Sequence, residues 1–183
     1  MKLLINALVK FFCGFLLVGL LIFLPAGTLA FAKGWLLMGL LFGPMFIAGL
    51  VMLAKSPEFL AKRLDVKEKR SAQQGVVKMS GLMFIAGFVV AGLDFRFGWS
   101  NMPQAVTVVA SILFLLAYLL YAEVMRENAY LSRTIKVEEG QTVVSTGLYG
   151  IVRHPMYMAT LLLFLVMPLV LGSWYALIVF AFY

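Results

Sequence analysis

Long uninterrupted apolar runs dominate the chain and alternate with short polar segments. Between Lys10 and Lys33 lie 22 uncharged residues, and between Lys33 and Lys55 lie 21 more. About 20 apolar residues are enough to cross a membrane, because the hydrocarbon core is about 30 Å thick and a helix rises about 1.5 Å per residue. The two runs therefore predict transmembrane helices over residues 11–32 and 34–54.

The third and fourth apolar runs predict two further spans. The third, Met79–Leu93, holds only 15 residues. It reaches a spanning length over residues 76–93 if the Lys78 side chain snorkels to the interface or the bilayer thins locally. The fourth run predicts a span over residues 103–122.

The last apolar stretch begins at Pro155 and is too long for one crossing. Gly172 and Ser173 interrupt it, and these residue types permit a tight turn between helices. We therefore expect a helical hairpin, with one helix over residues 155–171 and a second over residues 174–183 that is incomplete where the sequence stops.

Composition agrees with a membrane protein and excludes other classes. Of the 183 residues, 63% are hydrophobic and 13% are charged, and the mean hydropathy is +1.01. Soluble domains carry about 25% charged residues. A water-soluble globule and a disordered tail are therefore excluded, and so is a nucleic-acid binder, despite the net charge of +7. The predicted fold is all-α, a single polytopic membrane domain over residues 1–183 with four spans and a C-terminal hairpin.

The distribution of positive charge predicts how this bundle is oriented. Of the 15 basic residues, all but Lys33 and Arg96 fall in the N-terminal region or in the polar segments 55–78 and 123–154. By the positive-inside rule, we expect the N-terminus and both segments in the cytoplasm, at the inner membrane if the protein is bacterial. Such basic segments also attract anionic membrane lipids.

The segment that carries candidate chemistry ends where a membrane helix is predicted to begin. Pro155 suits the first turn of a helix, and it holds the preceding His154 outside the helical region. This entry places the imidazole and the Arg153 guanidinium beside free backbone N–H groups, which attract anions. The aromatic faces of Tyr149 and Tyr157 flank the same corner and can stack on a planar base or attract a cation.

These residue types also have ordinary roles, and the residues alone leave both interpretations open. Arg, His and Tyr commonly anchor helix ends at the membrane interface. Glu123, Arg126, Glu127 and Tyr130 fall on one face of a predicted helix, where they either pair with one another or line a polar cavity. His154 is the only histidine in the sequence and Cys13 the only cysteine. We therefore expect no metal site.

At this corner the sequence resembles a known family. Residues 146–149 (Thr-Gly-Leu-Tyr), followed after three residues by 153–157 (Arg-His-Pro-Met-Tyr), are similar to the signature of isoprenylcysteine carboxyl methyltransferases and their phospholipid N-methyltransferase relatives. Those enzymes are integral membrane proteins that use S-adenosylmethionine. Three upstream pieces agree with bacterial members, and the resemblance covers about residues 92–183; the pieces are residues 93–100, 126–128 and 132–134.

The resemblance implies a cytoplasmic site for S-adenosylmethionine within residues 123–157. In it, the segment ahead of Tyr149 lines the cofactor, Tyr149 packs against it, Arg153 supports the corner and the next four residues form the other wall. The implied cofactor-binding residues are Gln141, Thr142, Val143, Val144, Tyr149, Arg153, His154, Pro155, Met156 and Tyr157. Because the cofactor carries a carboxylate, this assignment agrees with the anion-attracting helix start.

The function implied is methyl transfer from S-adenosylmethionine to an apolar, prenylated or lipid-linked small molecule, as in the isoprenylcysteine enzymes. Methyl transfer chiefly needs alignment and a dry site, so no residue is assigned as catalytic. A phospholipid amine N-methyltransferase is the alternative enzyme. A non-catalytic membrane protein, whose polar corner anchors helices or binds a partner, is the alternative of another class.

One departure from the family pattern concerns the end of the sequence. The family continues with a helix that ends in an arginine and a Glu-Glu pair, whereas this sequence stops at Tyr183 within an apolar run. We therefore expect a C-terminally shortened member, and an inactive fragment that lacks part of its site is a further alternative.

Overall fold

The computed structural model describes residues 2–64, 71–128 and 145–182. Those ranges hold helices and connections and no strand, so the all-α prediction is confirmed. The helices are α1 (Lys2–Ala26), α2 (Ala32–Lys55), α3 (Pro57–Leu64), α4 (Ser71–Phe97), α5 (Gln104–Glu127), α6 (Leu148–Ile151), α7 (Pro155–Leu171) and α8 (Trp174–Ala181).

Four of these helices are long and apolar enough to cross a membrane. They are α1, α2, residues Val77–Phe97 of α4, and α5. Their apolar side chains are not confined to the core: Leu16, Leu20 and Leu24 on α1 are each at least 60% exposed. Leucines spaced four residues apart lie on one helix face, and such a face fits lipid rather than water. The prediction of a polytopic bundle is confirmed.

The helix ends differ from those expected from the charged residues. Helix α1 contains Lys10 and stops at Ala26, because Gly27 takes a left-handed φ of 70°. The Lys10 ammonium donates a hydrogen bond to the Leu64 carbonyl at the end of α3, so the charge is accommodated without ending the helix. Helix α4 extends beyond the predicted 76–93 at both ends, and α5 continues past residue 122 to Glu127.

The core forms where α1 packs on α4 and α5 packs on α7. A glycine permits the contact between α1 and α4: a Cβ at Gly92 would lie 2.5 Å from the Ile22 carbonyl oxygen of α1. Helix α8 returns along α4, where Phe180 meets Phe84 and Phe88 edge to face. The short terminal helix is thereby part of the core, since Phe180 is 1% exposed.

At one end of the bundle, a buried carboxylate joins two connections. Asp94 is 2% exposed and accepts hydrogen bonds from the Ser100 backbone N–H at 2.7 Å, from the Ser100 hydroxyl at 2.6 Å and from the Ser173 hydroxyl. Ser173 also caps α8 by accepting from the Ala176 N–H at 3.0 Å. With Gly172 in the left-handed region (φ 77°), these contacts build the turn of the predicted α7–α8 hairpin.

The opposite end carries the polar segments. The Arg63 guanidinium on α3 donates to the Tyr121 hydroxyl on α5, and its carbon lies 5.6 Å from the centre of the Tyr121 ring. Helix α2 ends, α5 ends and α7 begins at this end, so the described parts of both polar segments share it. The direction of the helices thus agrees with the expectation that segments 55–78 and 123–154 lie on the same side of the bundle.

Candidate functional site

A short helix and a sharp change of direction form a corner between α5 and α7. Gly147, with φ 51° and ψ −126°, precedes the four-residue helix α6, whose Tyr149 N–H donates to the Thr146 carbonyl at 3.0 Å. Val152 is extended and turns the chain into α7. Pro155 then stands in the first turn of α7, with His154 (φ −134°, ψ 66°) outside the helix, as the sequence predicts.

The polar and aromatic side chains of the corner lie on its surface. Arg153 and His154 are exposed, and neither side chain makes a hydrogen bond within the described part of the chain. The Tyr157 side chain is 69% exposed, and its ring centre lies 5.6 Å from that of His154. A guanidinium, an imidazole and an aromatic face are therefore presented together.

Other predicted site residues differ from these in exposure. Pro155 is fully buried, Met156 is half-buried, and Tyr149 is half-buried with its hydroxyl accepting a hydrogen bond from Asn128 at 3.0 Å. The remaining four predicted residues lie outside the described ranges and stay predictions; they are Gln141, Thr142, Val143 and Val144.

The two glutamates near the end of α5 make different contacts. Glu123 and Arg126 form an exposed ion pair at 2.6 Å, which is one of the two arrangements expected for this helix face. Glu127 instead faces the corner, where its Oε2 accepts the Leu148 backbone N–H at 2.9 Å. The contact joins residues 21 positions apart, so helix periodicity does not reveal it. Helix periodicity and the motif of residues 126–128 marked Glu127 as a candidate, but neither indicated Leu148 as its partner.

Together these groups can hold a zwitterionic ligand. Pro155 has no N–H and the Met158 N–H donates to the His154 carbonyl at 3.2 Å, so the N–H groups of Met156 and Tyr157 are the ones left at the start of α7. With Arg153 they favour a carboxylate. The exposed Tyr157 face suits an aromatic ring or a cationic centre.

Comparison with known proteins gives one match. The family model of phospholipid methyltransferases matches residues 97–183, which include the corner and helices α5 to α8. No curated protein and no solved structure matches the chain. With its four candidate spans, the chain is therefore similar to integral membrane methyltransferases over that range. More particularly, the resemblance of the corner motif to the isoprenylcysteine and phospholipid methyltransferases is confirmed by a phospholipid methyltransferase match over residues 97–183.

Proposed function

We propose that this protein transfers a methyl group from S-adenosylmethionine to the carboxylate of a prenylated or otherwise lipid-linked small molecule. The family match over the whole corner supports methyl transfer, and the resemblance of residues 146–157 to the isoprenylcysteine enzymes supports the carboxylate acceptor. The proposed cofactor contacts are the ten residues expected from the resemblance, of which Tyr149, Arg153, His154, Pro155, Met156 and Tyr157 are described.

The described part of the corner has the donor set that this cofactor needs. Its amino-acid carboxylate suits Arg153 and the N–H groups at the start of α7, since both favour negative charge. Its adenine ring and sulfonium suit the exposed faces of Tyr157 and His154, 5.6 Å apart. The groups are exposed and closely spaced, so one small molecule can contact all of them.

When bound, the cofactor supplies an electrophilic methyl group, and the chain has to orient two partners and exclude water. The corner stands at the end of α5 and the beginning of α7, beside the apolar surfaces of the bundle. An acceptor with a lipid tail is thereby held in the bilayer, with its polar head level with the corner. Because the lipid tail already restricts the acceptor, less entropy is lost when its head group aligns with the methyl group.

The surrounding carboxylates favour an acceptor that needs no base. A carboxylate acceptor is already ionised at neutral pH, whereas an ammonium must first lose a proton. Glu123 is paired with Arg126, and Glu127 accepts the Leu148 N–H, so both carboxylates are already engaged. Neither of these two carboxylates is free, which favours an acceptor that needs no base.

A phospholipid amine is the second candidate acceptor, and the description of the matching family favours it. The two candidates share the cofactor site and differ in the head group that reaches the corner. A direct comparison of acceptors separates them.

The test is methyl transfer by the purified protein in lipid nanodiscs, with labelled S-adenosylmethionine and either a prenylcysteine or an ethanolamine phospholipid. We expect label in the prenylcysteine ester. The label should be retained by Cys13→Ser, a change at an exposed position in the middle of α1, and lost in His154→Ala. Label in the ethanolamine lipid instead would show that the acceptor is a phospholipid amine. A protein that binds no cofactor would leave the non-catalytic alternative.

A further inference from the structure

Two residues at the end of α5 hold the corner in place. Glu127 is the last residue of α5, and its carboxylate accepts the Leu148 N–H at 2.9 Å. Asn128 follows as the C-cap, with its backbone N–H on the Val124 carbonyl at 3.1 Å and its side-chain amide on the Tyr149 hydroxyl at 3.0 Å. Consecutive residues of one helix end therefore fix both the backbone and the ring of the corner.

The backbone at Gly147 is shaped to admit the Glu127 carboxylate. A Cβ at Gly147 would overlap both carboxylate oxygens of Glu127, and its φ of 51° lies where side chains are disfavoured. Glycine thus allows the carboxylate to come against the chain just before α6. The Leu148 N–H is a first-turn donor with no partner inside its own helix, and an ionised acceptor makes the stronger kind of hydrogen bond to it.

Helix α6 depends on such a contact for its position. It has four residues, and a single turn is not stable in isolation because helix nucleation is unfavourable. Its own bonds, such as Gly150 N–H to the Gly147 carbonyl at 3.1 Å, close the turn but do not place it relative to the bundle. The bonds from Glu127 and Asn128 supply that placement.

We propose that Glu127 is a positioning residue for the cofactor site: its carboxylate orients the turn at Gly147 and Leu148, and through that turn the Tyr149 ring. The inference rests on the proposed function for its consequence in cofactor binding. Its structural part, the orientation of Tyr149, is measurable without any cofactor.

The chain offers a matched set of variants. Glu127→Ala removes the acceptor, and Glu127→Gln keeps an oxygen in its place. Glu123→Ala removes a carboxylate one turn earlier that bonds to Arg126 and does not contact the corner. In ¹⁹F NMR spectra of protein labelled with fluorotyrosine, the Tyr149 resonance is identified as the one that is missing in Tyr149→Phe. A thermal unfolding transition like that of the wild-type protein shows that each variant is folded.

Without cofactor, we expect the Tyr149 resonance to shift or broaden in Glu127→Ala and to stay unchanged in Glu127→Gln and Glu123→Ala. An unchanged resonance in Glu127→Ala would overturn the inference. For cofactor, we expect the KM to rise about tenfold in Glu127→Ala with kcat less affected, and the glutamine variant to recover most of the loss.

A KM in Glu127→Ala equal to that in Glu123→Ala would also overturn the positioning role. Failure of the wild-type protein to bind S-adenosylmethionine has a different meaning. It would reject the proposed function, while the Tyr149 resonance would still decide whether Glu127 orients the corner.

Discussion

At the residue scale, the corner depends on the absence of a side chain at position 147. Gly147 combines a positive φ with a Glu127 carboxylate that occupies the place of a Cβ. Gly98 at the opposite end also has a positive φ, 65°, but has open space around its Cβ position. Alanine variants at Gly147 and Gly98 therefore separate the effect of backbone strain from the effect of losing the carboxylate contact.

We expect Gly147→Ala to weaken S-adenosylmethionine binding by about tenfold or more, because the methyl group displaces Glu127 and strains the backbone. Gly98→Ala, which meets strain alone and lies away from the corner, should change the affinity less than about twofold. Equilibrium binding to the two purified variants checks this. Equal affinities would show that the contact at Gly147 is unimportant.

The sequence predicted the corner's residue types and missed the contact that holds it. Proline at the first turn, with His154 before it, follows from local backbone rules, and the structure has both. The bond from Glu127 to Leu148 joins two segments whose approach is set by the packing of α5 on α7. Tertiary packing of this kind is not encoded in the spacing of residues along one helix.

At the element scale, Asp94 links the α4–α5 connection to the α7–α8 turn. Ser100 and Ser173 both donate to it, and Ser173 also caps α8. A buried carboxylate that loses a donor retains its desolvation cost. The Ser173 hydroxyl therefore helps to position the terminal helix, together with the packing of Phe180.

We expect Ser173→Ala to lower the free energy of unfolding by about 1–3 kcal/mol, since it removes both a bond to a buried charge and a helix cap. Ser111→Ala is the control, because the Ser111 hydroxyl bonds to the Thr107 carbonyl of its own helix at 2.8 Å. That change should cost less than about 0.5 kcal/mol. Unfolding in detergent titrations measures both, and similar losses would argue against the link.

The four spans and the C-terminal hairpin followed from the apolar runs, whereas the helix ends and the short helices α3 and α6 did not. Charged residues were taken as limits, yet Lys10 lies inside α1 and Lys33 inside the first turn of α2. Lysine is a good helix former and its long side chain reaches polar partners, so it need not end a helix. The left-handed glycine at Gly27 ends α1, and a single glycine within an apolar run does not identify itself as the stop.

At the scale of the whole molecule, the bundle has two different ends. One carries the connections at Gly27, Gly98 and Gly172, where Asp94 is buried. The other carries α3, the end of α5 and the corner. We propose, from the excess of basic residues there, that the corner end faces the cytoplasm.

Single cysteines in a Cys13→Ser background test this orientation. Thr28→Cys and Asn101→Cys lie at the end away from the corner and should react with a membrane-impermeant maleimide in intact cells. Ser56→Cys and Ser145→Cys, at exposed positions of the corner end, should react only after permeabilisation. The reverse pattern would invert the orientation, and labelling of Ser56→Cys and Ser145→Cys from different sides would contradict the fold.

Whether the corner holds the cofactor is decided by equilibrium binding of S-adenosylmethionine to the purified protein in nanodiscs. We expect saturable one-to-one binding that His154→Ala weakens by about tenfold. Tyr175→Ala, an exposed aromatic on α8 at the other end, should leave it unchanged. No saturable binding by the wild-type protein, or binding that His154→Ala does not alter, would show that the corner is not the cofactor site.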